Sequence, residues 1–163
     1  MSSRVLYPPP GSASIDQILE EARKHIFRMK VYELQAILDS PDSDFTLGPI
    51  HVIDIRPEAQ RQSEGAFKFN IDGDHPKGHK IHVIERNVLE WRLDPLSDSR
   101  AQEIIDPYEY RTRIVVVCSQ GYTSSLAARE LQRLGLWHAT DLDGGVQEWQ
   151  EWQQAGNRDS FLS

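Results

Sequence analysis

Cysteine is nearly absent from this chain: Cys118 is the only one in 163 residues, so no disulfide can form within it. A lone thiol points to a reducing compartment. Long apolar runs are missing too. No stretch approaches the roughly 18 residues of a membrane span, and Met1–Gly11, with its Pro8-Pro9-Pro10 run, holds no apolar core of signal-peptide length. The cytoplasm is therefore the expected location. Basic residues are in short supply, 18 against 25 acidic ones, for a net charge of −7. That balance offers no general footprint for nucleic acid or an anionic membrane, and neither is an expected partner. Internal repeats and low-complexity tracts are lacking as well.

What is present reads as one α/β domain with short extensions. Residues 1–13 form a flexible lead. Ser14 and Gln17 make a capping box, and Ile15, Ile18, Leu19, Ala22 and Ile26 follow with helical spacing. A second helix is expected over Tyr32–Leu38, then a loop over 39–49. Residues 14–46 thus form a helical extension packed on a domain spanning 47–156, with 157–163 as a tail.

Within the domain, His51–Ile55 reads as a buried strand stopped by Pro57. A polar helix covers 58–64, a surface insertion 66–82, a short strand His82–Ile84 and helical turns Asn87–Leu93. Ser97–Arg113 is polar, with helix around Arg100–Ile105. Ile114–Val117 is uniformly β-branched and gives a strand. Ser124–Leu134 gives a helix with Leu126, Ala127, Leu131 and Leu134 facing inward, ended by Gly135. A short strand Ala139–Leu142, a turn Asp143-Gly144-Gly145 and a last helix Val146–Gln154 complete the chain. Strands alternating with helices imply a central parallel sheet with helices on both faces.

Cys118 falls where a strand meets a helix. Ligands in open parallel sheets bind outside the carboxyl ends of the strands. There the unpaired N–H groups and the positive end of the helix dipole stabilise a negative sulfur. Gly121 lets the loop curl so that several N–H groups surround one point. Tyr122, Thr123, Ser124 and Ser125 can add hydroxyl donors. The expected product is a cradle for a thiolate or a persulfide.

Four segments carry a resemblance to the rhodanese (thiosulfate sulfurtransferase) family. Val52-Ile53-Asp54-Ile55-Arg56 is similar to its Asp-x-Arg after an early strand. Val115-Val116-Val117-Cys118-Ser119-Gln120-Gly121-Tyr122-Thr123-Ser124-Ser125 is similar to its active-site loop. Ala127-Ala128 is similar to small residues in the helix that follows. Asp143-Gly144-Gly145 with Trp149 is similar to its closing turn and helix. The resemblance covers about residues 47–156. It implies a rhodanese-like three-layer sandwich with an extra N-terminal helix, and a single-domain sulfurtransferase that needs no cofactor. Cys118 would accept a sulfane sulfur from a small-molecule donor and pass it to a thiol or cyanide, with the loop from Ser119 through Gly121 to Ser124 holding the persulfide.

The departures from the family pattern narrow the chemistry. Rhodanese-like phosphatases and arsenate reductases carry an arginine six residues after the cysteine, and this chain has Ser124. The neutral Ser119 and Gln120, where thiosulfate-specific members have cations, leave the donor open. Glu64-Gly65-Ala66 is a remnant of the family's Gly-His-Ile-Pro-Gly-Ala segment. Arg61, Arg86 and Arg92 are candidate anion contacts, each weighed against an ordinary surface role. Asp54 and Arg56 read as a structural pair near the site. His75, His79 and His82, with Asp72 and Asp74, match no closed metal site and read as a solvated loop. Trp91, Trp137, Trp149 and Trp152 read as core and rim packing. The alternative function is a non-catalytic rhodanese-like binding module, which the retained cysteine disfavours. The oligomeric state stays open.

Overall fold

The computed structural model describes residues 4–41 and 47–156. The tail expected over 157–163 and part of the loop expected over 39–49 lie outside them. The elements run α1 (Ile15–Arg23), α2 (Val31–Asp39), β1 (Ile50–Asp54), α3 (Glu58–Glu64), β2 (Lys80–Val83), α4 (Leu89–Leu93), α5 (Gln102–Ile105), β3 (Arg113–Val117), α6 (Thr123–Arg133), β4 (Ala139–Asp141) and α7 (Gly145–Glu151). The four strands form one parallel sheet in the order β2-β1-β3-β4.

Alternation along the central strands divides the core in two, because successive side chains leave opposite faces of a strand. Ile53, Ile55, Ile114 and Val116 pack with Leu89, Leu93, Ile104, Ala127, Ala128 and Leu131 from α4, α5 and α6. Ile50, Val52, Val115 and Val117 pack on the other face with Leu34, Leu38, Val146 and Trp149 from α2 and α7. Both faces of β1 and β3 are therefore covered, as the apolar run Ile114–Val117 requires and the full burial of β1 shows.

The capping box of α1 forms, with Ser14 Oγ accepting from the Gln17 N–H and Gln17 Oε1 from the Ser14 N–H. Leu19 and Ala22 are buried, and α1 lies against α6. Beyond it, Met29 pairs with Leu142 and continues the sheet edge past β4. Among the described residues, no helix is long and apolar enough to cross a membrane.

Several sequence-based expectations are corrected here. The second strand begins at Lys80 and ends at Val83, two residues earlier than expected at its start. It is an edge strand with none of its four residues buried, Val83 included, so its apolar signal is thin. The span 66–82 is not wholly surface: Phe67, Phe69 and His79 are buried, and Phe67 stacks on Trp149 at 5.3 Å between ring centres. His82 and His79 are structural members, with the His79 ring accepting the Ile50 N–H at 2.9 Å and the His82 ring meeting that of His51 at 2.9 Å. Trp91 and Trp137 are 63% and 71% exposed rather than packed. In α6 the inward face is Ser124, Ala127, Ala128 and Leu131, while Leu126 is only half-buried.

Candidate active site

Cys118 follows the last residue of β3 and is 5% exposed, at the carboxyl end of the sheet. It contributes to the wall of a cleft of about 730 Å³. The loop folds back over it so that the Gly121 N–H lies 3.3 Å and the Ser124 N–H 3.4 Å from Sγ. Gly121 has φ +85°, and a Cβ there would sit 2.9 Å from the Gly144 nitrogen. Any other residue would both strain the backbone and push the loop off the following turn.

That turn holds the loop from below. Gly145 has φ +65° and lets the first turn of α7 approach closely. The Val146 N–H donates to the Cys118 carbonyl at 2.9 Å and the Gln147 N–H to the Ser119 carbonyl at 3.0 Å. Gly145 thus serves the loop directly, since a Cβ there would lie 2.5 Å from the Cys118 carbonyl oxygen, whereas a Cβ on Gly144 would meet the Glu148 side chain.

Ser124 and Ser125 do not turn their hydroxyls toward the sulfur, contrary to expectation. Both donate to Asp141 Oδ2 at 2.8 Å. Asp141 is fully buried, and Arg28 neutralises it in a fork, Nε to Oδ1 and Nη2 to Oδ2, each at 3.0 Å. Burial works against the Arg28 cation, but Asp141 and then Asp143 outweigh it and raise its pKa. Asp143 also accepts from Lys30, the main cause of its lowered pKa.

The Asp54–Arg56 pair forms as a buried fork, Arg56 Nε to Oδ1 at 3.0 Å and Nη2 to Oδ2 at 2.7 Å. Arg56 also reaches Glu64 Oε1 and the Gly65 carbonyl. Glu64 Oε2 in turn accepts the Ser119 hydroxyl at 2.8 Å. Desolvation opposes the Glu64 charge, yet bonds from Ser119, Arg56 and Gln60 hold its carboxyl below the usual range. This chain of contacts ties α3 to the cysteine loop.

Of the three candidate anion contacts, only Arg86 lines the Cys118 cleft, paired with Glu90 at 2.6 Å. Arg61 Nε instead donates to the Arg56 carbonyl, and Arg92 donates to the Ser99 carbonyl beside a different hollow. Ser119, Gln120, Tyr122 and Thr123 line the cleft with Gln60, Glu64, Glu85 and Asn87. His75 is remote from it, with its ring on the Leu38 carbonyl. Sequence reasoning missed Arg23, Arg28 and Asp141. The available signal was Asp141 itself, since a carboxylate at the end of a buried strand needs a cation.

A parallel sheet that seats a cysteine at a strand end, under inward-pointing loop amides, belongs to the α/β class with a cysteine-centred loop. The chain is a member of the rhodanese-like domain family, which matches residues 30–151. The match takes in α2 and leaves out α1. No curated protein matches the chain. A protein of unknown function from Rhodopseudomonas palustris, described as a possible tyrosine phosphatase, shares 23% identity at a TM-score of 0.65, over 90% of this chain and 96% of that one. A rhodanese-related protein from Thermoplasma volcanium has 20% identity and a TM-score of 0.44, over 77% and 92%. A single-domain sulfurtransferase from Saccharomyces cerevisiae has 15% and 0.47, over 82% and 94%.

Proposed function

We propose that the protein is a sulfurtransferase in which Cys118 carries the sulfur as a persulfide. The observation that carries this reading is the convergence of the Gly121 and Ser124 amides on Sγ at the edge of an open cleft. Neutral donors held by the backbone stabilise a sulfur anion without a proton to give it and without reorganisation.

In the first half-reaction the Cys118 thiolate attacks the sulfane sulfur of the donor. A bond forms between Sγ and that sulfur, and the donor's bond to it breaks with the electron pair leaving on the donor fragment. In the second, a thiolate or cyanide attacks the terminal sulfur. Its new bond forms as the Sγ–S bond breaks, and Cys118 regains its pair. A lone cysteine suits this cycle, because no second thiol in the chain can intercept the persulfide as a disulfide. Ser119 and Gln120 bring no positive charge beside Cys118, and the cleft's arginines are already paired, Arg56 with Asp54 and Glu64 and Arg86 with Glu90, so a dianionic donor such as thiosulfate gains little attraction there. A reducing compartment, the cytoplasm, fits an unpaired thiol of this kind.

Phosphate chemistry is disfavoured, since position 124 carries a serine whose hydroxyl is committed to Asp141. The test is intact mass of the purified protein after exposure to a panel of sulfur donors, with thiocyanate formation followed in the presence of cyanide. The expected result is one added sulfur on Cys118, lost in Cys118→Ser. A folded protein that accepts sulfur from no donor sinks the enzyme reading and leaves the binding-module alternative.

A further inference from the structure

The cysteine loop is gripped from behind by two arginines that precede the matched family domain. Arg23, the last residue of α1, donates through Nη2 to the Gly121 carbonyl at 2.8 Å and through Nε to Ser125 Oγ at 3.0 Å. Arg28 donates through Nη2 to the same carbonyl at 2.6 Å while its fork holds Asp141. The Arg23 guanidinium also lies 5.7 Å from the centre of the Tyr122 ring. The family match starts at residue 30, so both grips come from outside it.

In a trans peptide the carbonyl of one residue and the N–H of the next point in opposite directions, and no peptide bond among the described residues is cis. Drawing the Gly121 carbonyl outward onto two cations therefore turns the Tyr122 N–H the other way. Among the described residues, neither the Tyr122 nor the Thr123 N–H has a protein acceptor. The resting sulfur is already served by Gly121 and Ser124.

We propose that Arg23 and Arg28 are positioning residues that fix the Gly121–Tyr122 peptide, so that the Tyr122 N–H is presented to the terminal sulfur of the Cys118 persulfide. The proposal rests on the sulfurtransferase reading for its substrate. It makes the N-terminal segment part of the working site rather than an appendage. Arg28 does two jobs, on the carboxylates of Asp141 and Asp143 and on the loop, whereas Arg23 touches only the loop and the start of α6. The two arginines thus separate the effect on folding from the effect on chemistry.

The experiment uses the full chain with Arg23→Gln and Arg28→Lys. Arg23→Gln leaves every partner of Asp141 in place, and it is expected to melt close to the parent while kcat for sulfur transfer falls about fivefold, with donor KM little changed. Arg28→Lys keeps the charge but cannot span Gly121, Asp141 and Asp143 together, and a drop of about tenfold is expected. Millimolar guanidinium should restore part of the activity of Arg23→Ala, a rescue that loss of helix packing alone would not show. Amide exchange at Gly121 and Ser124, read by NMR without any donor, should quicken in both variants. Unchanged kcat and unchanged exchange in folded variants would overturn the proposal. If exchange quickens but even the parent accepts no sulfur, the sulfurtransferase reading fails and the grip on the loop stands.

Discussion

Ser124 sits six residues beyond Cys118, yet its side chain belongs to Asp141: Oγ donates to Oδ2 at 2.8 Å, and only the backbone N–H faces the sulfur. The position at which related phosphatases place a substrate-clamping arginine is here part of a buried carboxylate network. Ser124→Ala keeps the N–H and removes one donor from Asp141. Sulfur transfer should stay within about threefold of the parent while stability falls by ~1.5–3 kcal/mol, the range for a lost bond to a charged group. Urea unfolding with the thiocyanate assay separates the two. A large loss of activity at unchanged stability would mean that the hydroxyl meets the substrate.

The Asp54–Arg56 fork calls for a larger loss of stability. Both side chains are essentially out of contact with solvent, so truncating one strands the other's charge. Arg56→Met should cost ~3–5 kcal/mol, seen as a lower urea midpoint. Adding Asp54→Asn should recover part of that loss, because the stranded carboxylate is gone. Strict additivity of the two changes would show that the pair is not coupled.

These networks mark where sequence reading stops. The strand from Ile114 to Val117, its cysteine and the helix beyond were legible because a β-branched run and a helical repeat are local signals. The edge strand at Lys80–Val83 is offset from its expected start because only Ile81 among its four residues packs on the core. Trp91 and Trp137 misled because an aromatic ring says nothing of which way its helix or loop turns. Arg23 and Arg28 reach Gly121 across more than ninety residues of chain, and no local pattern encodes such a contact. In the sequence Glu64 reads only as the remnant of a motif, although its carboxylate joins Arg56 to Ser119.

His51 and His79 give the fold a pH dependence. Burial, reinforced for His51 by His82 and for His79 by His75, lowers both to about 4 from an ordinary 6.5. The unfolded chain therefore takes up protons first as the solution is acidified. Stability should be full above pH 6.5, decline as pH falls toward 4, and level off below. The slope of the urea midpoint against pH between 6.5 and 4 should flatten in His51→Gln. An unchanged slope would place the dependence on other groups.

Gly145 is where fold and site meet most tightly. A Cβ there would lie 2.5 Å from the Cys118 carbonyl oxygen and 2.7 Å from the Ser119 carbonyl carbon. Both are backbone atoms, so neither can step aside as a side-chain tip could. Gly145→Ala must instead move the start of α7, lengthening the bonds from the Val146 and Gln147 amides that hold the loop's carbonyls. Gly73 provides the control, since its φ of +73° is similar and nothing lies within 4 Å of its added Cβ. Gly73→Ala should therefore show the backbone strain alone, about 1 kcal/mol, with sulfur transfer untouched. Gly145→Ala should lose at least ~2 kcal/mol and slow sulfur transfer by about tenfold or more. Equal stability losses at the two sites, with activity intact in both, would mean that α7 does not hold Cys118 in place.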